Sequence, residues 1–216
     1  MKYQLKDDLH QRILLEMNFN RCSLDIEDPG EYQIEFTGKV IYVDWETEKE
    51  KIIGEFEFSI IDMASATENR LSLFDVFDSD GTSFKLYEQL MNKDFSFKKK
   101  VDDILGDGYD LSSKIMLINR IGIIPEFRGH KLGKLILANL IQRFSMGASI
   151  IAIEPSPFIF TSEDIKSNST NCSPELKLGA EEKRKLSLYY QTIGFKEIPG
   201  SDFLLLNNAC IIPDIE

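Results

Sequence analysis

Residues 114–124, KIMLINRIGII, form an almost unbroken apolar run that stops at Pro125. A run of this kind suits a strand covered on both faces, since polar alternation appears where one face meets water. Beyond it, Leu132, Leu135, Ile136, Leu140, Ile141 and Phe144 recur at helical spacing from about Lys131 to Phe144. Only Lys134, Gln142 and Arg143 mark a clearly polar edge, so this helix packs tightly on a sheet. SIIAIEP (149–155) reads as a second short buried strand closed by a proline. Strand, helix, strand in that order is a βαβ unit, with a parallel pair and a right-handed crossover. The fold class is therefore α/β (or α+β).

The flanking segments read differently. Residues 31–45 and 51–63 alternate apolar and polar and are rich in Val, Ile, Tyr and Phe, with ETEKE (46–50) between them. That pattern predicts an antiparallel hairpin. LSLFDVF (71–77) reads as a third strand, and FKLYEQLMN (84–92) as a helix capped by Thr82 or Ser83. Residues 102–113 read as loop. Residues 156–182 are a polar Ser/Asn-rich loop, of a length that marks a lid or a disordered insertion. EEKRKLSLYYQTI (181–193) predicts a helix ended by Gly194, and FKEIP and DFLLLN terminal strands. The whole chain, 1–216, is expected to be a single domain: 1–110 an N-terminal hairpin and helical part, 111–155 the βαβ core, 156–182 the loop, and 183–216 the C-terminal helix and strands.

Composition narrows the function. With 25 Lys and Arg against 36 Asp and Glu, the net charge is −11 and the pI about 4.8. Non-specific nucleic-acid binding needs a broad basic face, so no nucleic-acid partner is expected. Three widely spaced cysteines, Cys22, Cys172 and Cys210, form no CxxC pair, and His10 and His130 do not cluster with them. Neither a disulfide framework nor a metal site is expected. The N-terminus lacks the apolar core of a signal peptide and no apolar run is long enough to span a bilayer, so the expected setting is cytoplasmic, without a membrane partner.

Against that acidic background, PEFRGHKLGK (125–134) places Arg128, His130, Lys131 and Lys134 close together. Gly129 and Gly133 allow a sharp turn and close backbone approach. The helix beginning there offers unpaired N–H groups and the positive end of its dipole, with Leu132, Gly133 and Lys134 in its first turn. Together these make an anion site suited to a pyrophosphate.

Strand, then this loop from Arg128 to Gly133, then helix resembles the acetyl-CoA-binding motif of the GCN5-related N-acetyltransferases (the GNAT superfamily). Arg128 and Gly133 match the ends of the family's loop; its inner glycine falls on Lys131. LYYQTIGF (188–195) resembles the family's C-terminal signature, Tyr-x-x-x-Gly-Phe, through Tyr190, Gly194 and Phe195. The resemblance spans roughly residues 114–207. It implies a mixed, mostly antiparallel sheet with a central parallel pair splayed around the cofactor, and helices on both faces. It also implies acetyl-CoA as co-substrate without a metal, and acetyl transfer to an amine by direct attack. The backbone of Ile121, Gly122 and Ile123 would contact the pantetheine arm. Arg128, Gly129, His130, Lys131, Leu132, Gly133 and Lys134 would hold the diphosphate. Tyr190 would protonate the leaving thiolate, a sensible task for a phenol, and Tyr189 would pack. Glu154, at the end of one parallel strand, is the best-placed carboxylate for a base; Asn119 and Arg120 are the polar residues inside the other.

Two other readings stand beside this one. A catalytically silent CoA-binding or interaction module would keep the loop and lack a base. DSDGT (78–82) imitates the nucleophile motif of haloacid-dehalogenase-like phosphatases, with Asp78 as nucleophile and Asp80 as its partner. Neither the acceptor amine nor the oligomeric state is encoded in a recognisable pattern.

Overall fold

The computed structural model describes residues 12–19, 25–106, 114–156 and 180–208. Seven strands form one sheet: β1 (Ile13–Phe19), β2 (Gln33–Asp44), β3 (Lys49–Asp62), β4 (Lys114–Ile123), β5 (Ala148–Ile153), β6 (Lys196–Glu197) and β7 (Leu204–Asn207). Their order is β1-β2-β3-β4-β5-β7-β6. β4 and β5 run parallel, and every other neighbouring pair is antiparallel. The helices are α1 (Met63–Glu68), α2 (Leu73–Phe77), α3 (Gly81–Leu90), α4 (Lys99–Leu105), α5 (Leu132–Phe144) and α6 (Ala180–Gln191). This is the mixed, mostly antiparallel sheet with one central parallel pair that the resemblance implies.

Strand alternation divides the core between the two faces. Met116, Ile118, Ile151 and Ile153 pack with Ile136, Leu137 and Leu140 of α5 and with Tyr190 and Phe195. Their neighbours Ile115, Leu117, Ile150 and Ala152 pack with Val76, Phe77, Leu86, Leu90 and Val101 from α2, α3 and α4. Helices thus cover both faces, which explains why 114–118 carries no polar residue after Lys114.

Several expectations need correction. Residues 71–77 are not a strand: Leu73, Val76 and Phe77 share one side of α2, and Val76 and Phe77 are fully buried. Helical spacing overrides their β propensity. The cap of α3 is Asp80, whose Oδ2 accepts from the Thr82 and Ser83 backbone N–H groups at 2.9 and 3.0 Å. A carboxylate at this position also suits the helix dipole. Ser83 instead donates its hydroxyl to Phe77 O at 2.7 Å. The loop expected from 102 begins as α4, which ends at Gly106 with φ 67. β1 and α1 have no counterpart in the reading of the sequence. Residues 107–113, most of the 156–182 loop, His10 and the three cysteines lie outside the described residues.

The phosphatase reading fails on this arrangement. Its acids would follow a strand, whereas Asp78 and Asp80 lie between two helices and Asp80 caps the second.

Candidate active site

The parallel pair is closed at one end and open at the other. β4 and β5 pair from Lys114↔Ala148 to Ile118↔Ile153 and no further. β4 then continues to Ile123 against β3 alone. A bulge marks the parting: Glu57 opposes Arg120 and Phe58 opposes Ile118, so Asn119 is the extra residue. Above it, the Ile124 N–H donates to Ile53 O at 2.9 Å, turning that residue's backbone towards β3. By alternation Gly122 also faces β3, while Ile121 and Ile123 turn their backbone groups to the open side. The three residues singled out for the pantetheine arm therefore divide into two that face the gap and one that does not. Gly122 lies so close to β3 that a Cβ on Gly54 would fall 2.3 Å from its carbonyl oxygen.

The basic loop closes over the end of that open strand. Pro125–Phe127 make a single 3-10 turn after β4, and Gly129 follows with φ 85. Arg128 Nε donates to Ile123 O at 2.7 Å, tying the loop to the strand end. His130 and Lys131 are exposed, Lys134 half-buried, and Leu132 buried under α5. Lys131 stands at the N-cap of α5 in the left-handed region, φ 57 and ψ 11, and its side chain makes no capping hydrogen bond. A glycine adopts this conformation without the ~1–2 kcal/mol that a side chain costs there. The position where the family loop has glycine is thus the one whose backbone favours it.

The two tyrosines part company. Tyr190 is 7% exposed, its ring 5.6 Å from Tyr189 and 6.0 Å from Phe195 between centroids. Burial, then the neighbouring Tyr189, push its phenol well above the ordinary tyrosine range. Tyr189, read from the sequence as a packing residue, reaches the first turn of α5. Its hydroxyl accepts the Lys134 backbone N–H, and a Cβ on Gly133 would lie 3.3 Å from it. Burial raises the Tyr189 phenol, and the Lys134 hydrogen bond offsets part of that rise.

Glu154 follows the last paired residue of β5, on one lip of the fork, with Oε1 3.7 Å from Lys183 Nζ. Lys183 also holds Asp202 at 2.9 Å. Asn119 stands on the other lip within a cluster that the sequence did not reveal. Its Nδ2 lies 3.3 Å from Glu57 Oε1 and 3.2 Å from Ser59 Oγ. Arg120 Nη2 lies 3.1 Å from Glu57 Oε2 and 3.7 Å from Glu55 Oε1. The available signal was the polar series Glu55, Glu57, Ser59 on one face of β3; pairing it with Asn119 requires the register and the bulge. Among the described residues, no group of His, Cys, Asp and Glu is arranged to hold a metal ion. Among them too, no helix is long and apolar enough to cross a membrane.

No protein-family model matches the chain, and neither does any curated protein. Solved structures do. The chain is similar to KacT. A tyrosine-to-phenylalanine mutant of KacT gives a TM-score of 0.44 at 11% identity, over 92% of this chain and 96% of that one. A KacTA–DNA complex gives 0.41 at 10%, over 92% and 94%. Likeness at this level carries no argument about chemistry, which rests on the fork and its surroundings.

Proposed function

We propose that this chain is a single-domain N-acyltransferase of the GNAT superfamily that moves an acetyl group from acetyl-CoA to an amine. The observation that carries the reading is the fork: an open strand edge at Ile121 and Ile123 beside the N-terminus of α5. A pantetheine arm is an extended chain with amides, so it can pair with that edge as an added strand. The diphosphate would lie against the N–H groups of Leu132 and Gly133 and the cations of the 128–134 loop.

The transferred group comes from acetyl-CoA, which supplies the thioester carbonyl. The amine must lose a proton to attack; Glu154 on the β5 lip is the proposed base, directly or through water. As the carbon–nitrogen bond forms and the carbon–sulfur bond breaks, Tyr190 donates to the departing sulfur. The phenol is protonated at physiological pH, the form a donor needs, and burial, which raises its pKa, makes it a weaker acid. The silent-module reading draws support from one observation, the engagement of Glu154 by Lys183.

Calorimetry with acetyl-CoA and thiol release across an amine panel test the reading. Binding in the micromolar range with thiol release is expected; absence of binding at high micromolar acetyl-CoA overturns it. Binding without release on any amine favours the silent module. Tyr190→Phe is expected to slow turnover about 10²-fold or more with little change in acetyl-CoA affinity. Tyr189→Phe is expected to weaken affinity more than turnover. The reverse split would exchange the two roles.

A further inference from the structure

We infer that the cavity where α2 meets α3 and the turn after it is a second binding site, for a small aromatic carboxylate. Its volume is about 590 Å³, within the range of small-molecule sites. Phe74 of α2, Phe84 and Tyr87 of α3 and Phe95 of the turn supply apolar walls, and Lys93 and Lys98 line it too. None of its lining residues comes from β4, β5 or α5. The site therefore stands apart from the fork and does not rest on the acyl-transfer reading.

Two features of the walls call for an occupant. Phe74 meets Phe84 and Tyr87 close to a right angle, 86° and 88°, with centroids 5.5 and 5.8 Å apart. Rings set as a corner offer both faces and edges to a further flat ring. Phe95 has φ 63, the left-handed region, which disfavours a bulky side chain. The turn enforces that conformation. Asn92 N–H donates to Ser96 O at 2.8 Å and Phe95 N–H to Asn92 O at 3.1 Å. Asp94 Oδ1 accepts from the Ser96 N–H and hydroxyl at 3.1 and 2.6 Å, and Met91 bridges Phe97 across the ends. Glycine would suit the position better, yet it carries an aromatic ring that is 47% exposed and adds little to the core. Strain of this kind gathers at ligand clamps.

Charge decides the class of ligand. In a chain of net charge −11, the lining carries the ammoniums of Lys93 and Lys98 against the single carboxylate of Glu88. Lys98 Nζ donates to the Glu88 backbone carbonyl, which fixes its ammonium near the end of α3 and leaves two of its three N–H donors. Aromatic walls alone would also welcome a cation, but the two lysines oppose one. An aromatic acid meets both demands, with its ring against the rings and its carboxylate on the ammoniums.

An NMR titration of the full chain reads the site directly. Sodium 2-naphthoate is compared with 2-naphthylmethylammonium chloride, a similar ring of opposite charge. The carboxylate is expected to saturate with a Kd of about 1 mM or tighter and to move the Tyr87 and Phe95 backbone amide resonances. The ammonium is expected to bind at least about tenfold more weakly. Phe95→Gly removes ring and strain together. It is expected to keep or raise the Tm while weakening 2-naphthoate about tenfold. A failure to saturate, equal binding of the two ions, unmoved Tyr87 and Phe95 resonances, or unchanged affinity in a folded Phe95→Gly overturns the site. The two-ion comparison uses the unaltered chain, so it decides even where the variant misfolds. Displacement of 2-naphthoate by acetyl-CoA would put the ligand at the fork and overturn the second site as well.

Discussion

The lower and upper halves of β4 share one strand and have opposite physics. From Ile115 to Ile118 the chain lies between β3 and β5, and all four side chains are 0% exposed. From Asn119 to Ile123 it keeps β3, loses β5, and carries Asn119, Arg120 and a glycine. The closed half is stabilised by apolar burial on both faces and by complete backbone pairing. The open half gives up one ladder and, with it, the reason to be apolar. An unpaired edge inside a sheet is a template for another extended chain. Here it is short and bounded by the bulge below and by Arg128 above. Stability and recognition thus occupy successive halves of one element.

The sharpest way to break this contrast is to truncate one side chain in each half. Ile118→Ala in the closed half is expected to cost about 2–5 kcal/mol, because the surrounding core relaxes only in part. Ile121→Ala, half-buried beside the fork, is expected to cost less than half of that and to weaken acetyl-CoA binding instead. Urea denaturation with a shared m-value measures both; equal losses would mean that the halves are one packed unit. Gly54→Ala probes the seam between β3 and the open half. Its Cβ would lie 2.3 Å from the Gly122 carbonyl oxygen, so backbone must shift. A loss of about 1–3 kcal/mol is expected. Gly81→Ala, where a Cβ would meet nothing within 4 Å, serves as the control and should stay near the parent Tm.

The same division explains what could be read from the residues alone. The closed half announces itself, because burial on both faces leaves an apolar run and a helix at 3.6 spacing that only a parallel pair satisfies. The hairpin of β2 and β3 was legible for the complementary reason, one polar and one apolar series on alternating positions. Of the helices between β3 and β4, α3 was legible as 84–92, but α1, α2 and α4 were not, because with 6, 5 and 7 residues they are too short for periodicity to outweigh local propensity. The basic loop was visible as composition, and its left-handed residue at Lys131 was hinted at by a glycine expected there. The Glu57–Asn119 contact was out of reach, since it depends on one extra residue in one strand.

The smallest expected effect lies at the foot of the closed half, where Lys114 Nζ meets Asp62 Oδ2 at 2.9 Å and the strands begin to pair. Burial raises the Asp62 carboxyl, but the Ser65 backbone N–H and Lys114 outweigh it and hold the group below its ordinary 3.8. A carboxylate depressed in the folded state adds stability that is fully present above the unfolded pKa. That stability is lost as pH falls through the lower folded value. Asp62→Asn should therefore remove some acid sensitivity below about pH 4 and lower stability at pH 7 by less than about 1 kcal/mol, since the pair is partly exposed. The bond to the Ser65 N–H, which caps α1, survives in Asn through its side-chain carbonyl. The variant thus reports on the charge alone. Denaturation midpoints compared at pH 7 and pH 3 would refute the assignment if the variant lost as much stability on acidification as the parent. A drop of several kcal/mol at pH 7 would instead make this clasp, and not the apolar ladder above it, the main support of the closed half.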